Sequence, residues 1–317
     1  MLLNSDQTKK FETEGYLVIP DLMPANICGQ LNTEYTDLLN GLYEGWIAEG
    51  LVQIPGGKLD FCGKLLSAYQ AGCDYFQPMD ISLLGDRIMA DAPFHIGSAV
   101  FNMLTAVPLL DVVEQLIGPQ LTRNSIQHVR LKPPAAKLNL GEVRAHITAT
   151  DWHQDCGVAL EDADQTNMVT VWLAMTDATV ENVCLQVQSQ ISGQTILPHC
   201  ARNQTGIADD FLNESSAVPL PVNAGGAVFF HPLTPHASLT NITGGFRWSF
   251  DIRFNVTDPP TGRSHFPDFV VRSRAYPETE LSDWRACKAQ WEEARARLAA
   301  VPHIDIHRWS ADTPHCA

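Results

Sequence analysis

Apolar residues recur at helical spacing early in the chain and alternate with polar ones later. Ser5 or Asp6 can cap a short helix running through Glu14, which Gly15 ends. Tyr16-Leu-Val-Ile19 then reads as a short strand stopped by Pro20. Pro24 marks a helix start, after which Ile27, Leu31, Tyr35 and Leu38 fall on one stripe. Two further helices are predicted over Ser98–Leu104 and Pro108–Ile117, the second stopped by Gly118. Between Gly41 and Phe94 the periodicity loosens, and glycines and Pro78 break the apolar pieces. Its aromatics (Trp46, Phe61, Tyr69, Tyr75, Phe76) favour an ordered segment, and residues 41–95 are expected to cover a binding site, although Trp46, Phe61, Tyr75 and Phe76 read as plain core in preference to pocket lining.

After Gly118 the pattern turns to period 2. Strands are predicted at Asn124–Leu131, Met168–Met175, Cys184–Val187, Gly226–Phe230 and Phe246–Val256. Val169, Val171, Leu173 and Met175 share one face of the second, and Trp172 lies on the other. In the last, Phe246, Trp248, Phe250, Ile252 and Phe254 oppose Arg247, Ser249, Asp251 and Arg253. Short strands separated by turn signals indicate a sandwich or jelly roll, here behind a helical N-terminal half. The expected organisation is one domain over residues 1–317. It comprises a helical part at 1–118, a β core at 119–256 and an extension at 257–317 with an outer helix, Trp284–Leu298.

Chemistry concentrates at two places. In an extended Trp152-His153-Gln154-Asp155, His153 and Asp155 project to one side and Gln154 to the other. An imidazole beside a carboxylate is two thirds of the two-histidine, one-carboxylate face that suits non-haem Fe(II). His236, between turn residues after an apolar strand, can supply the third ligand. Arg247 and Ser249 share the polar face of the following strand, where a guanidinium needs an anion and is shaped to grip a carboxylate. Arg253 lies six residues on, about 20 Å along a strand, so only one of the two arginines is expected at a site beside His236. Arg247 is the nearer in sequence.

The net charge of −15 argues against nucleic acid and anionic membrane as partners and leaves a small molecule. No stretch approaches 18 uncharged apolar residues, so no membrane span is expected. No apolar signal core follows Lys9 and Lys10, and the expectation is a soluble, cytoplasmic protein. Eight cysteines without Cys-x-x-Cys or regular spacing read as free thiols. Nothing in the sequence argues against a homodimer.

Taken together, these motifs resemble the phytanoyl-CoA dioxygenase family of Fe(II)/2-oxoglutarate oxygenases. The resemblance rests on Trp152-His-Gln-Asp155, the Trp172 strand with Glu181-Asn-Val-Cys-Leu185, His236-x-Ser238-x-x-Asn241, Arg247-x-Ser249 and the opening Phe11-x-x-x-Gly15-Tyr16-x-x-Ile19-Pro20. It implies a double-stranded β-helix with Fe(II) held by His153, Asp155 and His236. The far carboxylate of 2-oxoglutarate would then lie on Arg247, helped by Ser249 and Ser238, with Trp172, His128 and Gln127 lining the cosubstrate. The implied reaction uses O2 to hydroxylate or otherwise oxidise a C–H bond of a small substrate, as 2-oxoglutarate becomes succinate and CO2. Asp155 fills the position that a halogenase leaves free, which favours hydroxylation. The sequence departs from the family at Val183, where Asn-Gly is usual, and at Gln188-Ser-Gln-Ile, where Pro-Gly-Ser-His is usual.

Other readings compete. His303-Ile-Asp305-Ile-His307 has the period of a metal-binding strand face, but reads better as a polar tail. His231 is a second choice to His236, while His199 and His265 read as hydrogen-bonded structural residues. Arg263, Arg272 and Arg274 could greet an anionic substrate, and salt bridges to the Glu278–Asp283 region are the favoured reading. Two alternative functions are a cupin-like metalloenzyme that does not use 2-oxoglutarate and a ligand-binding relative without catalysis.

Overall fold

A computed structural model describes residues 2–189, 195–310, 312 and 314–316. In chain order the elements are α1 (Ser5–Glu14), β1 (Tyr16–Ile19), α2 (Ala25–Ala48), α3 (Phe61–Gln70), α4 (Phe76–Met79), α5 (Ser98–Leu104) and α6 (Val107–Ile117). There follow β2 (Gln120–Lys132), β3 (Met168–Ala174), β4 (Leu185–Val187), β5 (His199–Ala201), β6 (Thr205–Ile207), β7 (Val218–Leu220), β8 (Ala227–Phe230) and β9 (His236–Ser238). The chain ends with β10 (Arg247–Val256), β11 (Phe269–Ser273) and α7 (Trp284–Leu298). A six-stranded sheet in the order β1-β8-β3-β10-β2-β11 faces a three-stranded sheet, β7-β4-β9, and β5 pairs with β6. The pairings within these sheets are antiparallel.

Alternation along β10 decides what packs where. Trp248, Phe250, Ile252 and Phe254 are buried under the helices, with Tyr35 of α2 at 5.1 Å from Trp248 and 5.6 Å from Phe250 between ring centres. On the opposite side of the large sheet, Tyr16, Trp172, Val228 and Phe230 form a second core with Leu185, Val187 and Leu220 of the small sheet. β3 is buried along its whole length because both faces are covered. The polar residues of β10 are thereby enclosed between the two sheets.

The helix starts and stops follow local chemistry. Asn4, one residue earlier than expected, caps α1 by accepting from the Gln7 amide at 2.9 Å while Gln7 returns the bond. Gly15 leaves the helix in the left-handed region, φ 80°. Residues 98–117, with a mean hydropathy of 1.5, do reach the length and composition of a membrane span, contrary to the sequence reading. Here they bend into α5 and α6, with Pro108 in the first turn of α6, and Val100, Met103, Leu104, Leu109, Val112 and Val113 enter the core.

Two further expectations are corrected. Cys200 and Cys316 form a disulfide; Cys28, Cys62, Cys73, Cys156, Cys184 and Cys287 are free. Residues close in space but 116 apart in sequence carry no spacing signature. Among the described residues Arg263, Arg272 and Arg274 form no ion pair with the 278–283 region. Arg272 meets Asp111 and Glu114 at 2.9 Å each, and Arg274 meets Glu114 at 2.7 Å, so they tie β11 and its end to α6. The 303–307 run, read as a tail and not as a metal-binding strand face, forms no strand, and His303 faces Asp86 at 3.4 Å.

Candidate active site

His153 and His236 sit opposite each other in an antiparallel bridge, each backbone N–H donating to the other's carbonyl at 3.0 Å. That places the two imidazoles side by side, ring centres 4.3 Å apart. Each ring is then oriented by its own backbone. Nδ1 of His153 lies 2.8 Å from the Asp151 carbonyl, and Nδ1 of His236 lies 3.0 Å from that of Thr234. A carbonyl only accepts, so each Nδ1 carries the proton and each Nε2 keeps a lone pair for the space between them. Phe230 stacks on His236, ring centres 4.5 Å apart.

Asp155 begins the turn after His153 and completes the cluster. Its Oδ1 is 4.0 Å from Nε2 of His153, and its Oδ2 is 3.9 Å from Nε2 of His236. One ligand atom from each of the three residues lies within 4.8 Å of the others. Gln154 faces away as expected. It is fully enclosed, donating its amide N–H to His199 Nε2 and its side-chain amide to the carbonyls of Thr195 and Leu233.

Arg253, set aside in the sequence reading, grips this carboxylate. Its Nη2 pairs with Oδ1 of Asp155 and its Nη1 donates to the Asp155 carbonyl at 3.1 Å. Burial pushes the Asp155 carboxyl upward, but the Arg253 guanidinium outweighs it and holds it below the usual carboxylate range. Asp155 Oδ2 has no hydrogen-bond partner among the described residues. A buried carboxylate oxygen without a donor, between two imidazole lone pairs, fits a cation.

The cluster opens into a cavity of about 420 Å³. At the far end of the same face of β10 lies Arg247, only 1% exposed and 5.1 Å from the Trp172 ring. Its guanidinium donates to Ser249 and meets no carboxylate among the described residues; burial lowers its pKa to about 10. The strand geometry therefore places both arginines on one cavity, Arg253 at the imidazoles and Arg247 remote from them.

The remaining expected residues are divided. Ser238 Oγ already accepts from Lys132 Nζ at 2.9 Å and from the Thr150 amide at 2.8 Å. Lys132 closes β2, and burial and the nearby Arg247 push its ammonium well below the ordinary lysine range. His128 lines the cavity and holds Asp80 at 2.9 Å, while Gln127 borders it with its amide on the Ile81 carbonyl. Among the described residues none of 41–95 lines the cavity. That segment packs outside, as where Phe61 stacks on Trp248 with ring centres 5.7 Å apart, and reaches the cavity-lining His128 and Gln127 through Asp80 and Ile81. The described wall comes instead from the β5–β6 turn, Arg263 and the C-terminal residues His307 and Trp309. His231 Nδ1 accepts from the Leu233 amide at 3.2 Å, and it lies outside the cluster. Val183 adopts φ 58°, the left-handed turn a glycine takes without strain. The Gln188-Ser-Gln-Ile departure runs into 190–194, outside the described residues.

Fold and site thus define a class of protein: antiparallel sheets enclosing two imidazoles and a carboxylate, with an unpaired guanidinium deeper in the same cavity. The phytanoyl-CoA dioxygenase (PhyH) family model matches residues 11–249, and the chain belongs to that family. Peroxisomal phytanoyl-CoA dioxygenase of Homo sapiens is 26% identical over 289 residues, covering 88% of this chain and 75% of that protein. The non-heme monooxygenase ThoJ, in its apo form, superimposes with a TM-score of 0.59 at 19% identity, over 93% of this chain and 99% of that one. EvdO2 from Micromonospora carbonacea var. aurantiaca, solved with 2-oxoglutarate, gives 0.53 at 19% identity, over 83% and 96%. Both structures share the fold.

Proposed function

We propose that this chain is an Fe(II)- and 2-oxoglutarate-dependent oxygenase, built on a double-stranded β-helix, that oxidises a C–H bond of a small organic substrate. One observation carries the reading: two imidazoles locked with Nε2 free and a carboxylate with an orphaned oxygen converge within 4.8 Å of one another. Family membership and the 2-oxoglutarate bound by EvdO2 support it.

His153, Asp155 and His236 would hold the metal. Three ligands on one side leave open positions for a keto acid and O2. Once bound, Fe(II) with 2-oxoglutarate and O2 supplies the oxidising chemistry and the loss of CO2. Arg247 receives the distal carboxylate of 2-oxoglutarate, and Ser249 sets the angle of its guanidinium. Trp172 lines this part of the cavity, and the guanidinium of Arg247 is buried, so its electrostatic contacts are little screened by water. Ser238 can still offer its hydroxyl proton to the same carboxylate, since its oxygen serves Lys132 and Thr150.

The test is succinate formation from 2-oxoglutarate by the Fe(II)-loaded chain, with a His236→Ala control. Iron uptake without succinate would point to a metalloenzyme that does not use 2-oxoglutarate. No iron uptake would leave a ligand-binding protein.

A further inference from the structure

We infer that the cavity has a second anion site, built by Arg263 beside Trp309, which anchors a small oxyanion-bearing substrate on the side of the metal cluster away from Arg247. This rests on the oxygenase reading, in which Arg247 serves the cosubstrate.

Five guanidiniums stand on the cavity wall among the described residues. Arg253 is neutralised by Asp155, Arg130 by Asp251 at 2.8 Å and Arg202 by Asp209 at 3.0 Å. Arg247 and Arg263 meet no carboxylate among the described residues. Arg263 donates through Nη2 to the Val158 carbonyl at 2.8 Å, and its Nη1 is buried with no hydrogen-bond partner. Burial and the nearby Arg253 lower its pKa to about 10, the direction expected of a cation awaiting an anion. With the distal carboxylate of 2-oxoglutarate on Arg247, Arg263 is the cation left for the substrate.

The site is braced. Gly262 has φ 76°, and a Cβ there would meet that of Ala159 at 2.8 Å, so the backbone before Arg263 lies tight against the turn following Asp155. Trp309 donates from its indole N–H to the Gly157 carbonyl at 2.6 Å and stacks on His199 with ring centres 5.4 Å apart. Arg308 holds the tail by a two-bond pair with Asp164. Val158, Trp309 and His307 complete this end of the cavity and offer an apolar and aromatic surface to the substrate's body. Arg263, His307 and Trp309 all lie beyond residue 249, where the family match ends. They are positions at which this chain can set its own specificity.

The probes are hexanoate, phenylacetate and phenyl phosphate, with hexanamide and phenylacetamide as neutral partners. Each is titrated calorimetrically into the Ni(II)-loaded full chain saturated with 2-oxoglutarate, so that Arg247 is occupied. The anions should bind at least tenfold more tightly than the amides, and the better of carboxylate and phosphate names the oxyanion. Arg263→Gln should remove that preference while leaving 2-oxoglutarate affinity unchanged, and Arg263→Lys should keep part of it. Absent anion binding, equal binding of the amides, or a preference that survives Arg263→Gln overturns the inference; the anion-to-amide comparison in the unmutated chain does not depend on how the variant folds. If the chain takes up no 2-oxoglutarate, the oxygenase reading fails, and the same titration of the metal-free chain judges the Arg263 site separately.

Discussion

Arg253 holds Asp155 by two groups at once, Nη2 on the carboxylate and Nη1 on the same residue's carbonyl. This pairing fixes which carboxylate oxygen is free: Oδ1 is engaged and Oδ2 has no donor among the described residues. The carboxylate is thus presented to a metal through one oxygen, and Arg253 acts as a positioning residue.

Arg253→Gln should therefore weaken Ni(II) or Co(II) binding by about 10- to 100-fold, the usual effect of losing a group that orients a ligand. The metal-free variant should also be destabilised by about 3–5 kcal/mol, because a buried carboxylate is left without its partner. Calorimetry and thermal unfolding of the same preparations check the two effects. Unchanged metal affinity with reduced stability would leave Arg253 a purely structural residue.

Arg247→Gln should do the reverse. A hydrogen bond to a charged group contributes about 1.5–3 kcal/mol, so 2-oxoglutarate affinity should fall by roughly 10- to 150-fold with metal affinity unchanged. Equal loss of both would contradict a remote anchor. Titration of 2-oxoglutarate into metal-loaded protein reads the first, and metal titration the second.

These two arginines show how far the sequence could be read. Alternation along β10 placed Arg247, Ser249, Asp251 and Arg253 on one face, and the structure encloses that face between the sheets. Period 2 is a local property, so it was legible. Separation along the strand from Arg247 says nothing of how near Arg253 lies to the metal cluster. The imidazoles and Asp155 sit at the other end of that strand, brought there by the bridge between His153 and His236. The wall of the cavity was misassigned for a related reason. Aromatics in residues 41–95 signal burial, but burial outside the sheet and burial over a site look alike in composition. The tail at 304–309 is held by single long-range contacts, such as Arg308 to Asp164, which leave no periodic trace.

Acid should destabilise the chain through His199. Its Nδ1 donates to the Leu197 carbonyl at 2.7 Å and its Nε2 accepts from the Gln154 amide at 3.0 Å, so the buried ring is neutral and fully used. Burial lowers its pKa to about 4. The unfolded chain, with an ordinary histidine near 6.5, therefore binds the proton first as pH falls. The stability contributed by the neutral ring is intact above about pH 6.5 and is lost progressively toward pH 4, on the order of 3 kcal/mol. Urea midpoints of the metal-free protein between pH 7 and pH 4 measure this loss. His199→Gln should flatten the slope over that range, and an unchanged slope would assign the acid sensitivity elsewhere.

The disulfide closes the tail over the cavity wall. Cys316 joins Cys200 of β5, next to residues 201–205, and the same tail carries Trp309 and His307 to the cavity. A cross-link between residues 116 apart restricts the unfolded chain and contributes about 2–4 kcal/mol in typical cases. Cys316→Ser should lower the unfolding midpoint accordingly, and a reductant should lower the unmutated protein to the same value without further effect on the variant. Trp309 reports whether the tail loosens as well: its indole is hydrogen-bonded to the Gly157 carbonyl and stacked on His199. If the disulfide holds that arrangement, reduction should raise iodide quenching of tryptophan emission, and Trp309→Phe should abolish the increase. If the midpoint falls but quenching does not change, Arg308 with Asp164 is enough to keep the tail docked, and the disulfide stabilises the chain without shaping the cavity.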